Sequence, residues 1–290
     1  MINISPATPE IGAEISGVDV RNLDDAAFRL IYRAFLDHIV IVVRGQNLTE
    51  QDFLDFSARF GELKPHITKK AHHPQYPDLL LMDNRILDTR KPEEATSAPA
   101  LLVKLGAVWH TDTSYDYVTA KATGMYSVMV PSRGGDTLFS NSYAAYDALP
   151  PTLKRRIDGL SATYVYGGRL KRQQERLEDS ERGRPAAVHP LVQTHPETGR
   201  KTLYFNDGQI MTVLGVDGRE SDALIAELAQ RTGSTDGDYR HKWQAGDVVL
   251  WDNRCSIHCA TGDYPVNERR VNWRTTIMER GWKTQQARTA

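Results

Sequence analysis

The sequence predicts a mainly β fold, a sandwich or barrel with helices at its flanks. Two observations carry this. Eight short runs read as strands between turn residues: Ala122 to Val130, Asp136 to Ser140, Ala162 to Tyr166, Val188 to Thr194, Thr202 to Phe205, Tyr239 to Trp243, Asp247 to Trp251 and Arg270 to Met278. No helical pattern regularly follows each strand, which disfavours a doubly wound parallel sheet. The chain has no fixed-period repeat and no convincing linker, so residues 1–290 are expected to form one domain.

In chain order, the first element is a helix. From Asp24 to His38 the apolar residues Ala27, Leu30, Ile31, Ala34 and Phe35 recur at helical spacing. The β-branched run Ile39 to Val43 then reads as a buried strand, stopped by Gly45. Thr49 with Asp52 forms a capping-box pattern that opens a second helix, with Phe53, Phe56 and Phe60 on its core face and Gly61 at its end. A strand follows at Leu79 to Met82. Arg85 to Ala100 lacks any apolar period and reads as a surface loop able to close as a lid, and Arg169 to Pro185 is dense in charge and reads as a solvated insert. Three shorter helices are expected at Tyr143 to Leu149, at Pro151 to Leu160 and at Ser221 to Arg231, where Leu224, Ile225 and Leu228 share a face.

Composition narrows the function classes. Hydrophobic residues make up 40% and charged residues 25%, with a net charge of −1, so neither disorder nor an attractive field for nucleic acid or anionic membrane is expected. Two cysteines cannot build a disulfide framework, the N-terminal residues lack the pattern of a signal peptide, and no apolar run approaches the ~20 residues of a membrane span. A soluble, cytoplasmic protein is the expectation.

Nine histidines must be sorted by context. His110 and Asp112 stand two apart, and an extended backbone sends such side chains to one face. A lone His-x-Asp is a weak signal that needs a third ligand. His258, beyond the strand-like Asp247 to Asn253, is the candidate; two imidazoles and a carboxylate leave three positions of an octahedral ion open, the arrangement used by non-haem iron oxygenases. Cys255 and Cys259 flank His258 but fall on the opposite face of an extended segment, so they are read as core thiols. His189 and His195, each followed by Pro, read as strand-end and turn residues, and His38, His241, His72 and His73 show no converging partner.

The segments WHTD (109–112), GGDTLFSNSYAAYDALP (134–150), HPLVQTHPETGRKTLYFN (189–206), WDNRCSIHCATGDY (251–264) and RRVNWRTT (269–276), with the N-terminal GAEISGVDVRNL and VVRGQNLTEQDFLDFSARFGEL, resemble in order and spacing the taurine dioxygenase and 2,4-dichlorophenoxyacetate dioxygenase family. The resemblance implies a double-stranded β-helix, a jelly roll with outer helices and loop inserts. It also implies Fe(II) as cofactor, 2-oxoglutarate and O2 as co-substrates, and hydroxylation of a C–H bond coupled to decarboxylation of 2-oxoglutarate to succinate and CO2.

Carried over residue by residue, the metal ligands fall on His110, Asp112 and His258, and the 2-oxoglutarate contacts on Thr137 and Arg274. Arg270, four before Arg274, matches a second arginine near the co-substrate carboxylate. His66 falls where taurine-type members place a histidine against the substrate's anionic group, with His72 and His73 left open for that role. Gly106 and Gln209 replace an asparagine and an aromatic of the taurine pocket, and Arg169 lies near a further substrate-facing position. These departures disfavour taurine and leave a small, anionic sulfonate, aryloxyalkanoate or other carboxylate. The resemblance further implies a homo-oligomer, dimer or tetramer. Two other classes stay open on residues alone: a zinc hydrolase or lyase on the same barrel, and a non-catalytic jelly roll that binds a small molecule.

Overall fold

The computed structural model describes residues 2–87, 108–169, 183–233, 237–265 and 267–289. Helix α1 (Asp25–His38) follows strands β1 (Asn3–Pro6) and β2 (Ala13–Ser16), and its N-terminus is capped by the Asp24 carboxylate, which accepts from the Ala27 N–H. Ile39 ends the helix at φ 70°, a rare value for a β-branched residue, and the chain turns at once into β3 (Val40–Val43). All four residues of β3 are buried because both its faces are covered. Ile41 and Val43 join the helix-side core, and Val40 and Val42 join the core between the sheets. This explains the unbroken apolar run. Helix α2 (Glu50–Ala58) opens on the expected capping box, and Phe53, Phe56 and Phe60 are buried with Phe35. Phe60 meets Phe28, Phe35 and Phe56 edge-on at 5.1 to 5.5 Å, each buried ring contributing about 1.5–3 kcal/mol.

Later elements complete two facing sheets. They are β4 (Glu62–Lys64), β5 (Leu80–Asp83), α3 (Asn84–Leu87), β6 (Ala122–Met129), β7 (Thr137–Asn141), α4 (Ser142–Asp147), α5 (Pro151–Ile157), β8 (Ser161–Tyr164), β9 (Ala187–Pro190), β10 (Val192–Thr194), β11 (Lys201–Leu203) and β12 (Ile210–Val213). Then follow α6 (Gly218–Ala229), β13 (Tyr239–His241), β14 (Val248–Asp252), β15 (Ser256–Ala260), β16 (Val271–Met278) and α7 (Trp282–Thr289). The large sheet runs β1-β2-β3-β14-β6-β16-β4, with β5 also on β16. Only its β2/β3 pairing is parallel. The smaller sheet runs β13-β7-β15, and β12-β8-β9 and the β10/β11 hairpin extend the fold beside it. Trp251 of β14 and Phe139 of β7 pack at 5.5 Å between the two main sheets, in an apolar core with Val40, Val42 and Val249.

The architecture is the jelly roll expected. Three local readings differ. Val188 to Thr194 is two strands, because the buried Leu191 carries the chain from β9 to β10. β1, β2, β4, β12 and β15 were not expected; β4 is three residues long and β1 is largely exposed, so neither has an apolar pattern to read. Arg85 to Leu87 belong to α3, and the rest of the Arg85 to Ala100 loop, with most of the Arg169 to Pro185 insert, lies outside the described residues.

Candidate metal centre and its anion partners

The triad forms where the two sheets face. His110 is hydrogen-bonded to His258 of β15 as an isolated bridge, His110 N–H to His258 C=O at 3.0 Å and the reverse at 2.8 Å. The chain then turns sharply, with Thr113 at φ 58°, so Asp112 reaches the two imidazoles from a turn and not from the continuous strand the spacing suggested. The Nε2 atoms of His110 and His258 each lie 3.8 Å from an Asp112 carboxylate oxygen, and the two rings sit 4.2 Å apart. One ligand atom from each residue lies within 4.8 Å of the others. His110 Nδ1 is 2.7 Å from the Val108 carbonyl, which fixes the ring proton there and leaves Nε2 as a lone-pair donor toward the centre. Trp251 packs against His258 at 4.8 Å.

Asp112 is 5% exposed. Burial would raise its carboxyl, but the Arg274 guanidinium, then His258 and His110, and the Thr123 hydroxyl hold it well below the usual carboxylate range. Burial, with His110 adding, pushes the His258 imidazole down to about 3, so it is neutral at pH 7. Two imidazoles, which bind metals through an unprotonated nitrogen, and an ionised carboxylate, with no thiolate, suit a divalent first-row ion that must keep positions open. The residues present therefore fit a metal.

The two arginines, one just before β16 and one within it, take different places. Arg274 reaches Asp112 Oδ1 at 2.6 Å, and its Nε is buried with no hydrogen-bond partner among the described residues. Arg270 lies over Trp243 at 5.9 Å, and the Trp243 indole N–H donates to Thr137 Oγ1 at 3.0 Å. Thr137 is thus gathered with Arg270, while Arg274 stands at the triad. His66 comes from the segment after β4. β16 pairs with β4 at Thr276 and with β5 at Arg274, so the chain leaves the sheet at Pro65 and His66 beside Arg274. Burial pushes the His66 imidazole down to about 3, with the Arg274 charge adding and Asp112 opposing. Its Nδ1 accepts from the Thr68 N–H at 3.1 Å, so the ring proton sits on Nε2 as a neutral donor.

A family model described as "Taurine catabolism dioxygenase TauD, TfdA family" matches residues 3–276. The chain belongs to the TauD/TfdA family. It is 31% identical over 283 residues to the (S)-phenoxypropionate/alpha-ketoglutarate-dioxygenase of Sphingobium herbicidovorans, covering 95% of this chain and 94% of that one. The alpha-ketoglutarate-dependent 2,4-dichlorophenoxyacetate dioxygenase of Cupriavidus pinatubonensis is 32% identical, over 95% and 97% of the two chains. Among solved structures, a taurine dioxygenase from Burkholderia xenovorans superposes with a TM-score of 0.77 at 31% identity, over 96% of this chain and 91% of that one. The chain is therefore a 2-oxoglutarate-dependent dioxygenase on a jelly roll, rather than a zinc hydrolase or lyase or a non-catalytic binding protein.

Within this TauD/TfdA site the other candidates divide. Gln209 lies beside the ligand loop: its side-chain oxygen accepts from the Ser114 hydroxyl, which in turn accepts from Asn206 Nδ2 at 2.8 Å. Arg169 pairs with Asp222 of α6 at 3.2 Å on the outer surface and is not brought to the triad. Gly106 lies outside the described residues. His72 Nε2 is 2.6 Å from the His66 carbonyl and so supports His66, while His73 stacks on Tyr76 at 5.2 Å. His241, which the sequence left without a converging partner, meets Asp247 at 3.2 Å, and His195, read as a turn residue, meets Asp252 at 3.1 Å, all buried. Cys255 and Cys259 are free, buried thiols. Cys255 lies near His195 and Asp252, but both His195 nitrogens and both Asp252 oxygens are already hydrogen-bonded, so this second cluster has no ligand capacity left for an ion.

Proposed function

We propose that this dioxygenase uses iron(II) at His110, Asp112 and His258 to hydroxylate a C–H bond of a small organic anion. In this reading Arg270 and Thr137 hold the far carboxylate of 2-oxoglutarate, and Arg274 and His66 receive the substrate's anionic group. That ordering of the two arginines reverses the one carried over from the resemblance. When bound, the ion and the 2-oxo acid supply oxygen activation at the positions the three ligands leave open.

The observation that carries the reading is the different settings of the two arginines, one within β16 and one just before it. Arg274 touches Asp112, and Arg270 lies four residues away, about 13 Å at ~3.3 Å per residue, over the Trp243 ring whose N–H donates to the Thr137 hydroxyl. A dicarboxylate anchored at the metal by its 2-oxo acid points its other end away from the triad, toward Arg270 and Thr137. A guanidinium and a hydroxyl together suit a carboxylate. The neutral Nε2–H of His66 beside Arg274 suits a second anion, and the named substrates of the relatives, phenoxypropionate and 2,4-dichlorophenoxyacetate, are such anions. Gln209 and Gly106 complete the proposed substrate surface; Arg169 is left out of it. The proposal includes a homo-oligomer, dimer or tetramer, in a cytoplasm whose reducing poise suits two free cysteines.

The test separates the arginines. Arg270→Gln is expected to weaken anaerobic 2-oxoglutarate binding by about 30-fold or more, the ~2–5 kcal/mol typical of truncating a buried charge partner. Arg274→Gln is expected to leave that affinity within about fivefold and to raise the substrate KM instead. The opposite pattern would return the co-substrate to Arg274, and no 2-oxoglutarate-dependent succinate release from any anionic substrate would overturn the reading as a whole.

A further inference from the structure

We infer that Thr123 and Asn253 are positioning residues that preset the Asp112 carboxylate for the metal. Neither coordinates; they act through a closed circuit of three hydrogen bonds that begins and ends on Asp112. The Asp112 backbone N–H donates to Asn253 Oδ1 at 3.4 Å, Asn253 Nδ2 donates to Thr123 Oγ1 at 2.9 Å, and the Thr123 hydroxyl donates to Asp112 Oδ2 at 2.6 Å.

Chemistry permits only this direction of travel. An ionised carboxylate accepts and never donates, so the single Thr123 proton must go to Asp112. Thr123 can then only accept from Asn253, which turns the amide NH2 toward it and the amide oxygen toward the Asp112 N–H. The amide orientation is thus fixed by the circuit, and reversing it would set two acceptors against each other. A second tie comes from the Thr111 hydroxyl, which donates to the backbone carbonyl of Asn253 at 2.7 Å.

The three residues come from separate elements. Thr123 is on β6 and is fully buried, Asn253 is in the turn after β14 and is 2% exposed, and Asp112 is in the sharp turn after His110. Without the circuit that turn would be free to rotate the carboxylate toward Arg274, its 2.6 Å partner on the other oxygen. With it, Oδ2 is pinned from the barrel wall and the carboxylate plane is set before any ion arrives. Outer hydrogen-bond partners of this kind are worth about 10- to 100-fold in metal affinity.

The inference rests on the proposed metal site, and the experiment keeps the two apart. Mn(II) alone is added to the metal-stripped full-length chain, and free Mn(II) is read by its EPR signal, with no turnover involved. Thr123→Val, which keeps the shape and removes the hydroxyl, is expected to weaken Mn(II) binding by about 10- to 100-fold, and Thr123→Ser, which keeps the hydroxyl, to stay within about threefold. Asn253→Asp places a second carboxylate against Thr123 and Asp112 and is expected to lose at least as much as Thr123→Val. Should Thr123→Val not fold, Thr123→Ala reads the same loss of the hydroxyl. If the wild-type chain fails to bind Mn(II), the metal site itself is refuted. If it binds and the hydroxyl-free variant binds equally well, or Thr123→Ser is as weak as Thr123→Val, only the positioning role falls.

Discussion

Replacing Arg254 by Met tests how the turn that carries Asn253 is held. The Arg254 guanidinium grips both oxygens of Asp252, at 2.8 and 2.6 Å, and its other nitrogen reaches Glu197 at 2.7 Å and Glu279 at 2.6 Å. Asp252 is 1% exposed, so its charge cannot turn to water for compensation. Burial alone would raise its carboxyl, yet Arg254 and then His195 bring it down to about 2 from an ordinary value of 3.8. That depression corresponds to about 2 kcal/mol of stability at neutral pH. Removing the guanidinium reverses the balance and leaves a buried carboxylate with His195 as its remaining side-chain partner, a loss typically of ~3–5 kcal/mol. For a chain of this size the midpoint temperature is expected to fall by about 6–15 °C.

The pH dependence identifies the cause. In the wild-type chain Asp252 titrates below its unfolded value, so its contribution is present above about pH 4 and is lost as pH falls toward about 2. In Arg254→Met the folded carboxyl titrates above its unfolded value, and the variant recovers as pH falls through that raised value. The stability gap should therefore narrow between pH 7 and pH 4 in urea unfolding. A gap below about 1 kcal/mol at pH 7, or one unchanged at pH 4, would show that Asp252 does not depend on Arg254.

The metal-stripped chain should be acid-sensitive well above the carboxylate range. His258 and His66 each stay neutral in the folded chain down to about 3, while an unfolded imidazole takes a proton near 6.5, so stability should fall by about 2 kcal/mol for each, or about 4 kcal/mol together, between pH 7 and pH 5; a flat profile in urea unfolding refutes the burial argument. Gly61→Ala would place a methyl 2.1 Å from the Met278 carbonyl oxygen, forcing β4 away from β16, and a cost of about 1–3 kcal/mol is expected in thermal unfolding. Because the chain beyond β4 carries His66, that variant should also raise the substrate KM more than it changes 2-oxoglutarate affinity. A Tm within a degree of wild type would mean that the strands separate freely there.

What could be read in the sequence followed from how directly each residue's role maps onto spacing. Helix α1, strand β3 and the Thr49/Asp52 box are local patterns, and local patterns survive folding. The meeting of His110, Asp112 and His258 was legible because short motifs surround each of them, although the turn at Thr113 replaces the straight strand that the two-residue spacing suggested. What spacing could not show were contacts between distant segments: His195 with Asp252, His241 with Asp247, and the path from Thr123 to Asn253. Each of those pairs joins two elements whose adjacency depends on sheet order. The two arginines are the instructive case. The four-residue spacing treats them alike, whereas Arg270 lies just before β16 and Arg274 within it, and their neighbours Trp243 and Asp112 separate their surroundings.

Charge bears on which substrates the proposed site accepts. Asp112 supplies one negative charge and Arg270 and Arg274 two positive ones, while His66 is held neutral by burial and Arg274, and imidazoles that bind a metal are neutral as well. A divalent ion adds two positive charges and 2-oxoglutarate removes two, which leaves the loaded site with an excess of one positive charge beside Arg274. A monoanionic substrate cancels it; a neutral one leaves Arg274 to share Asp112 with the metal. The missing charged hydrogen bond is worth about 1.5–3 kcal/mol, or roughly 10- to 150-fold. An aryloxyacetate and its methyl ester form a matched pair for measuring this, read by 2-oxoglutarate-dependent succinate release. The acid is expected to show the higher kcat/KM by that factor, and the preference should shrink in Arg274→Gln but persist in Gln209→Ala. Equal kcat/KM for acid and ester in the wild-type enzyme would show that Arg274 serves the co-substrate and that the substrate's charge is recognised nowhere in this pocket.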